Sequence, residues 1–121
     1  MGILDFTDLV VQQAMQGSSL AQQVLSNNLA NADTPGFKRS DVNFESALAS
    51  AVSASDPEAA VENVAFAPQT DTTTAMQADG NNVDLEREMS GLTSNAVEYE
   101  TLASIEKTRL GMIQSAIGSG S

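Results

Sequence analysis

The sequence predicts an all-α chain. A long N-terminal and a long C-terminal amphipathic helix are expected to pack as a coiled-coil-like pair, with a weakly ordered middle segment between them. Three observations lead there. Apolar residues recur at alternating spacings of three and four near both ends of the chain. The stretch between is acidic and rich in Ala, Ser, Thr, Asp and Gln. Two turn clusters, Thr34-Pro35-Gly36 and Asp79-Gly80-Asn81-Asn82, bound that stretch. The expected divisions are therefore 1–33, 34–82 and 83–121.

The first helix is expected from about Leu4 to Asn31. Ile3, Phe6, Val10, Gln13, Gly17, Leu20, Val24, Asn27 and Asn31 form one stripe, and Leu4, Val11, Met15, Leu25, Leu29 and Ala32 form a second beside it. The apolar surface is thus broad, which suits burial against more than one neighbouring helix. An ordinary core helix of a small bundle would show the same face. The helix ends where Pro35 disfavours a helical Thr34, and Pro-Gly suits the centre of a type II turn.

Residues 40–82 carry seven acids and no base, with Pro57 and Pro68. Such a segment does not offset its own ordering entropy and reads as a linker or a partner-ordered loop. Within it, Phe44 to Val52 has the pattern of a short helix, with apolar ends on one face.

The last helix begins after the turn at Asp79 to Asn82. Asp84 is the expected N-cap, with Glu86 and Glu88 in the positive first turn. Leu85, Met89, Leu92, Ala96, Tyr99, Ala103, Glu106, Leu110, Ile113 and Ile117 then keep a strict 4-3 repeat, and Gly118 is a natural stop. At 1.5 Å per residue the helix is roughly 50 Å long, and heptad spacing over that length points to a coiled coil. Gly91 and Gly111 fit either close helix approach or simple tolerance.

Composition limits the chemistry. The 121 residues carry 5 Lys+Arg against 16 Asp+Glu, a net charge of −11, and no His, Cys or Trp. A disulfide, a zinc finger, a thiol nucleophile and a Ser-His-Asp triad are excluded for this chain alone. Five bases do not make a phosphate-tracking surface, so no nucleic acid partner is expected. No run of about 18 apolar residues is present, so no transmembrane segment is expected. Residues 1–20 lack Lys and Arg and carry Asp5 and Asp8, unlike a Sec signal peptide. Leu, Ile, Val and Phe number only 27. A chain this size buries about two thirds of its unfolded surface even when compact, so the core is expected to be completed by partners.

Neither catalysis nor cofactor binding finds support. Glu86/Glu88 and Glu98/Glu100 lie two apart, point to different faces of a helix and read as solvated surface. The run from Asp79 to Asp84 resembles a calcium loop, but Val83 stands at a ligand position and no Gly follows at the sixth place. No catalytic, cofactor or metal residue is therefore assigned.

The informative run is Leu25-Ser26-Asn27-Asn28-Leu29-Ala30-Asn31-Ala32-Asp33-Thr34-Pro35-Gly36-Phe37-Lys38. Asparagines are unfavourable inside a helix because their side chains compete for backbone hydrogen bonds. A polar amide on an apolar stripe loses stability but fixes register and partner. A frayed helix end accounts for Pro35 and Gly36, not for the asparagines upstream.

From Ser26 to Lys38 this run resembles the N-terminal signature of flagellar axial proteins, the rod, hook and hook-associated family. The signature turn is Thr34, Pro35, Gly36 and Phe37. The chain lacks the large β-rich insertion of hook and distal-rod members. The stretch from Asp79 to Glu86, with Asn95, Tyr99 and Lys107, resembles the C-terminal half of one proximal-rod member, while a sister proximal-rod member shares the first signature alone. The resemblance covers roughly residues 4–48 and 79–117.

It implies a proximal-rod subunit of the bacterial flagellar basal body that polymerises helically, its terminal helices forming the rod core around the export channel. Its implied partners are other copies of itself, other proximal-rod proteins, the rod-base adaptor FliE and the flagellar type III export apparatus. Its implied location is the periplasmic rod, reached by that export route without a cleaved signal peptide. Leu20, Val24, Asn27, Asn31, Leu85, Met89, Leu92, Tyr99, Leu110 and Ile113 are the expected assembly residues. Phe44 and Leu48 fit the family's short Phe-x-x-x-apolar export-gate element, and a small amphipathic turn packed in the rod accounts for them equally. Two rival readings stand beside this one. A soluble helical export adaptor or chaperone would form a stable small oligomer retained in the cell. An enzyme would need two acids converging in a pocket, a spacing the sequence does not offer.

Overall fold

The computed structural model describes residues 3–119, with side chains described over 5–118. The predicted stripe positions Ile3 and Leu4 lie outside the described side chains. The chain is all-α apart from one two-residue strand pair. In order the elements are α1 (Ile3–Ala30), β1 (Ser40–Asp41), α2 (Phe44–Val52), α3 (Pro57–Glu62), β2 (Gln69–Thr70) and α4 (Leu85–Ser119). α1 and α4 run antiparallel along most of their length. Asn28 meets Glu88 at one end, Ser18 meets Asn95 in the middle, and Asp8 meets Arg109 at the other.

Each helix start has a local cause. Asn43 Oδ1 accepts from the Ser46 amide to open α2. Asp56 Oδ1 does the same for Ala59 at α3, where Pro57 loses no hydrogen bond by standing at the first position. Asp84 Oδ1 accepts from the amides of Glu86 at 3.0 Å and Arg87 at 3.3 Å, as expected of the α4 N-cap.

The core lies between α1 and the short helices. Phe44, Leu48, Ala51 and Val61 bury against Ala14 and Ala21 of α1. Phe44 also meets Phe66 edge-on, with ring centroids 6.3 Å apart. The segment read from composition as a linker thus supplies the most buried apolar side chains. It needs few of them because α1 provides the other wall, and Ala and Gly on α1 let that wall come close. A Cβ at Gly17 would sit 2.5 Å from the Phe44 Cβ, so this position admits no side chain. β1 and β2 pair antiparallel, Ser40 opposite Thr70, and pin the loop before α4 to the segment after α1.

Candidate assembly interface

The interface region is best built from the end of α1. Asn31 reaches back to the Asn27 carbonyl at 2.8 Å and accepts from the Thr34 hydroxyl at 3.2 Å. The Phe37 amide donates to the Thr34 carbonyl, and Gly36 has φ +74, so Pro35-Gly36 is the type II turn expected. The Gly36 amide then donates to the Asp79 carbonyl at 2.9 Å. Asn81, fully buried, gives both protons of its amide away, to the carbonyls of Asn31 and Thr34 at 2.8 Å each. Its Oδ1 accepts from the Val83 amide at 2.7 Å. Asn82 accepts from the Arg39 amide at 2.7 Å and donates to the Asp71 carbonyl at 2.9 Å. Lys38 Nζ donates to the Gly80 carbonyl. The two turn clusters are therefore one unit, in which side-chain amides supply the donors and acceptors that a strand would otherwise bring.

Beneath this unit lies a buried ion network. Arg39 is 1% exposed. Its Nε donates to Glu88, its two terminal nitrogens donate to the two oxygens of Asp41 at 2.6 Å each, and Nη1 also reaches Asp71 at 2.9 Å. Glu88, wholly buried, also accepts from Asn28 at 3.1 Å, and Asn28 closes a two-way pair with the Ser40 backbone at 2.8 and 3.0 Å. The bidentate pairing with Asp41, with Glu88 and Asp71 behind it, raises the Arg39 pKa, so the guanidinium stays charged throughout. Asp71 is held far below the usual carboxylate range, first by the Thr74 hydroxyl and then by the Thr73 amide and hydroxyl. Glu88 therefore does not belong to a solvated helix surface, as its spacing from Glu86 suggested. Arg39, arriving from outside the helix, neutralises it.

Along α4 the inward face is Glu88, Gly91, Asn95, Glu98, Leu102, Glu106 and Arg109. It is a largely polar and small seam. Asn95 donates to the Ser18 carbonyl and to Gln22 at 2.8 Å each. Gly91 is a close-approach position, since a Cβ there would meet Leu25 at 3.0 Å. Gly111 faces open space. Burial and the neighbouring Glu45 raise the Glu98 pKa. Hydrogen bonding to Asp8, followed by burial, raises that of Glu106.

Apart from Glu106, which belongs to the seam, the predicted 4-3 stripe lies beside it, towards the outer side. Leu85, Met89, Tyr99, Leu110, Ile113 and Ile117 are all exposed, Leu110 at 51% and Ile117 at 71%, while Leu92 is half-buried. A heptad pattern marks a face that packs on a helix without saying whose helix. On α1, Leu20, Val24 and Asn27 line one groove of about 270 Å³ with Gln23, Ser40 and Pro68. Asn31 lies at the helix end, half-buried. Phe44 and Leu48 are core residues in the folded chain.

Sequence reasoning passed over Arg39, Asn28, Asp71, Asn81, Asn82 and Asn95 as functional positions. One signal was available: Lys38 and Arg39 are the only bases before Arg87, in a chain of 16 acids. Among the described residues, no group of three or more Asp and Glu is placed to hold a metal ion. Three acids that do converge, Asp41, Asp71 and Glu88, are held by Arg39.

Comparison with known proteins identifies the family. The family described as flagella basal body rod protein matches residues 9–38, the greater part of α1 and the signature turn. The flagellar basal body rod protein FlgB of Aeromonas hydrophila is 34% identical over 116 residues, covering 88% of each chain. That of Bacillus subtilis (strain 168) is 27% identical, covering 99% of each. That of Escherichia coli (strain K12) is 26% identical, covering 90% of this chain and 91% of its own. These three relatives align with 88–99% of the chain. The chain belongs to the family of the flagellar basal body rod protein FlgB.

Proposed function

We propose that this chain is a structural subunit of the bacterial flagellar proximal rod, self-assembling helically to connect the membrane ring and export gate to the distal rod, and needed for motility. The observation that carries the proposal is the outward-facing stripe of α4. A chain with few large apolar residues leaves Leu85, Met89, Tyr99, Leu110 and Ile113 uncovered and closes its own helix pair with a polar seam. Exposed apolar surface of this extent marks an interaction face. A heterologous contact through such a face propagates as an open filament.

On this reading α1 and α4, within residues 1–33 and 83–121, are the rod-core helices, and the clamped turn between them sets their relative position. The groove at Leu20, Val24 and Asn27 is the α1 contribution to the interface. The partners are other copies of the chain, other proximal-rod proteins, the adaptor FliE at the rod base and the flagellar type III export apparatus. The location is the periplasmic rod, reached by type III export. Phe44 and Leu48 are inaccessible in the folded chain, so an export gate would read them only before folding. The sister rod protein FlgC shares the first signature; the relatives aligned through both signatures favour FlgB.

Electron cryotomography of basal bodies in a strain lacking the gene tests the proposal. A membrane ring and export gate without a rod are expected. Complete rods and hooks in that strain would overturn it.

A further inference from the structure

The acids on the inner side of α4 and around it are nearly all met by a cation. Glu88 has Arg39, Asp41 and Asp71 have Arg39 and Arg87, and Asp8 beside Glu106 has Arg109. Glu98 is the exception. The group within hydrogen-bonding reach of its carboxyl is a second carboxyl, Glu45 on α2, and both lie at one groove of about 200 Å³ between α1, α2 and α4. The groove walls are Val24, Leu25, Val42 and Phe44, and Asp41 adds a third acid at the rim. Apolar walls beneath a carboxylate mouth fit an aliphatic stem carrying a terminal cation.

The chain holds one cation to match. Lys38 is bound to the Gly80 carbonyl, and Arg39, Arg87 and Arg109 are engaged in ion pairs. Lys107 is exposed and makes no ion pair or hydrogen bond among the described residues. On its helix face Ala103, Ser104 and Gly111 flank it, so another backbone can come close, and Gly111 has nothing within 4 Å of where a Cβ would stand. Lys107 does not serve its own groove. It lies nine residues beyond Glu98 on the same helix, roughly 13–14 Å along the axis, further than a lysine side chain spans.

We propose that Lys107 of one copy enters the Glu45–Glu98 groove of a second copy. The inference rests on the rod-subunit reading and names one contact within it. The contact is heterologous, so each copy offers a lysine to one neighbour and a groove to another. If the two α4 helices run parallel, neighbouring copies are offset by the same roughly 13–14 Å.

The absence of cysteine allows a direct test that keeps both charges. Chains carrying Ser94→Cys, at the groove, and Ser104→Cys, beside Lys107, are co-expressed in swimming cells. Purified basal bodies are then treated with a short thiol-specific cross-linker. A mixed 94–104 dimer is expected to dominate over either like-with-like product. In parallel, Lys107→Glu and Glu98→Lys are each expected to lower recovery of the subunit in basal bodies about tenfold, and the double variant to restore it to within about twofold. Swimming cells without the mixed dimer, or a double variant no better than the singles, would overturn the contact and leave the rod reading intact. Cross-linking of Ser94→Cys to a different rod protein would also overturn it, by giving the groove another occupant. A chain absent from basal bodies altogether would remove both readings.

Discussion

Replacing Arg39 by methionine removes the cation from the buried network while keeping most of its volume. The three carboxylates it serves do not suffer equally. Asp41 is 47% exposed and recovers water. Asp71 keeps the Thr73 amide at 2.8 Å and the Thr74 hydroxyl at 2.6 Å. Glu88, wholly buried, is left with Asn28 alone at 3.1 Å. Stranding a buried charge costs about 3–5 kcal/mol, and with the other two acids spared the lower figure applies, about 3 kcal/mol. A chain of this length with so thin a core has a stability near about 6 kcal/mol, so half of it is lost. At a urea slope of about 1.5 kcal/mol/M the unfolding midpoint, followed by circular dichroism at 222 nm, falls by about 2 M. Adding Glu88→Gln to the Arg39→Met variant removes the stranded charge and recovers about 2 kcal/mol. Adding Asp71→Asn recovers little, because Asp71 keeps its threonine donors. An Arg39→Met loss below about 1 kcal/mol, or equal recovery from both second changes, would refute the assignment of Glu88 as the dependent partner.

The remaining predictions are shorter. Gly17→Ala drives a methyl into Phe44 and destabilises by about 1–3 kcal/mol, whereas Gly111→Ala meets open space and raises the helicity of the isolated chain by up to about 1 kcal/mol in propensity; thermal melts of the two should move in opposite directions. Leu110→Asp alters an exposed position, so the purified chain keeps its melt while rods in the mutant strain are lost, whereas Leu92→Asp, half-buried, impairs both; normal rods with Leu110→Asp would deny the stripe a role in assembly. Glu98 and Glu106 have raised pKa values in the folded chain, so their contribution is complete below about 4.5 and is lost as pH climbs through the raised values. The melting temperature should therefore fall from pH 5 towards neutrality, and the Glu98→Gln, Glu106→Gln chain should show a flatter profile than the wild type. Phe44→Ala should reduce secretion of the chain if the export gate reads it, and unchanged secretion would leave Phe44 as a core residue only.

Much of the architecture was legible because it has short-range causes. Asp84 caps α4, Pro35-Gly36 turns the chain out of α1, and Phe44 to Val52 is a helix that turns Phe44, Leu48 and Ala51 to the core and leaves Val52 exposed. Each is a matter of a few neighbouring residues. The orientation of α4 was not legible in this way. Its apolar repeat is the strongest periodic signal in the chain, yet the chain's own seam runs one stripe over, through Gly91, Asn95 and Glu98. Periodicity identifies a packing face, and small or polar residues that bind by close approach and hydrogen bonding leave no apolar trace. Glu88 was hidden for a related reason. Its burial depends on Arg39, 49 residues earlier, and no local spacing announces a partner that far away. Composition likewise underrated residues 44–66, since their few apolar side chains are matched by a wall on α1.

The bonds that fasten α4 to the rest of the chain join residues far apart in sequence. Arg39 to Asn82 spans 43 positions, Asn81 to Thr34 spans 47, Asn28 to Glu88 spans 60 and Asn95 to Ser18 spans 77. Each demands that a long loop be closed before any of its stabilisation is gained. Synthesis runs from the N-terminal side, so α1 meets α2 and α3, and Asn28 meets Ser40, early, whereas the partners of Ser18 and of the Asn31 and Thr34 carbonyls follow only with residues 81–95. The order of synthesis thus builds in a delay. The core between α1 and residues 44–66 is thus available before α4, and the clamp that fastens α4 closes only once residues 81–95 are made.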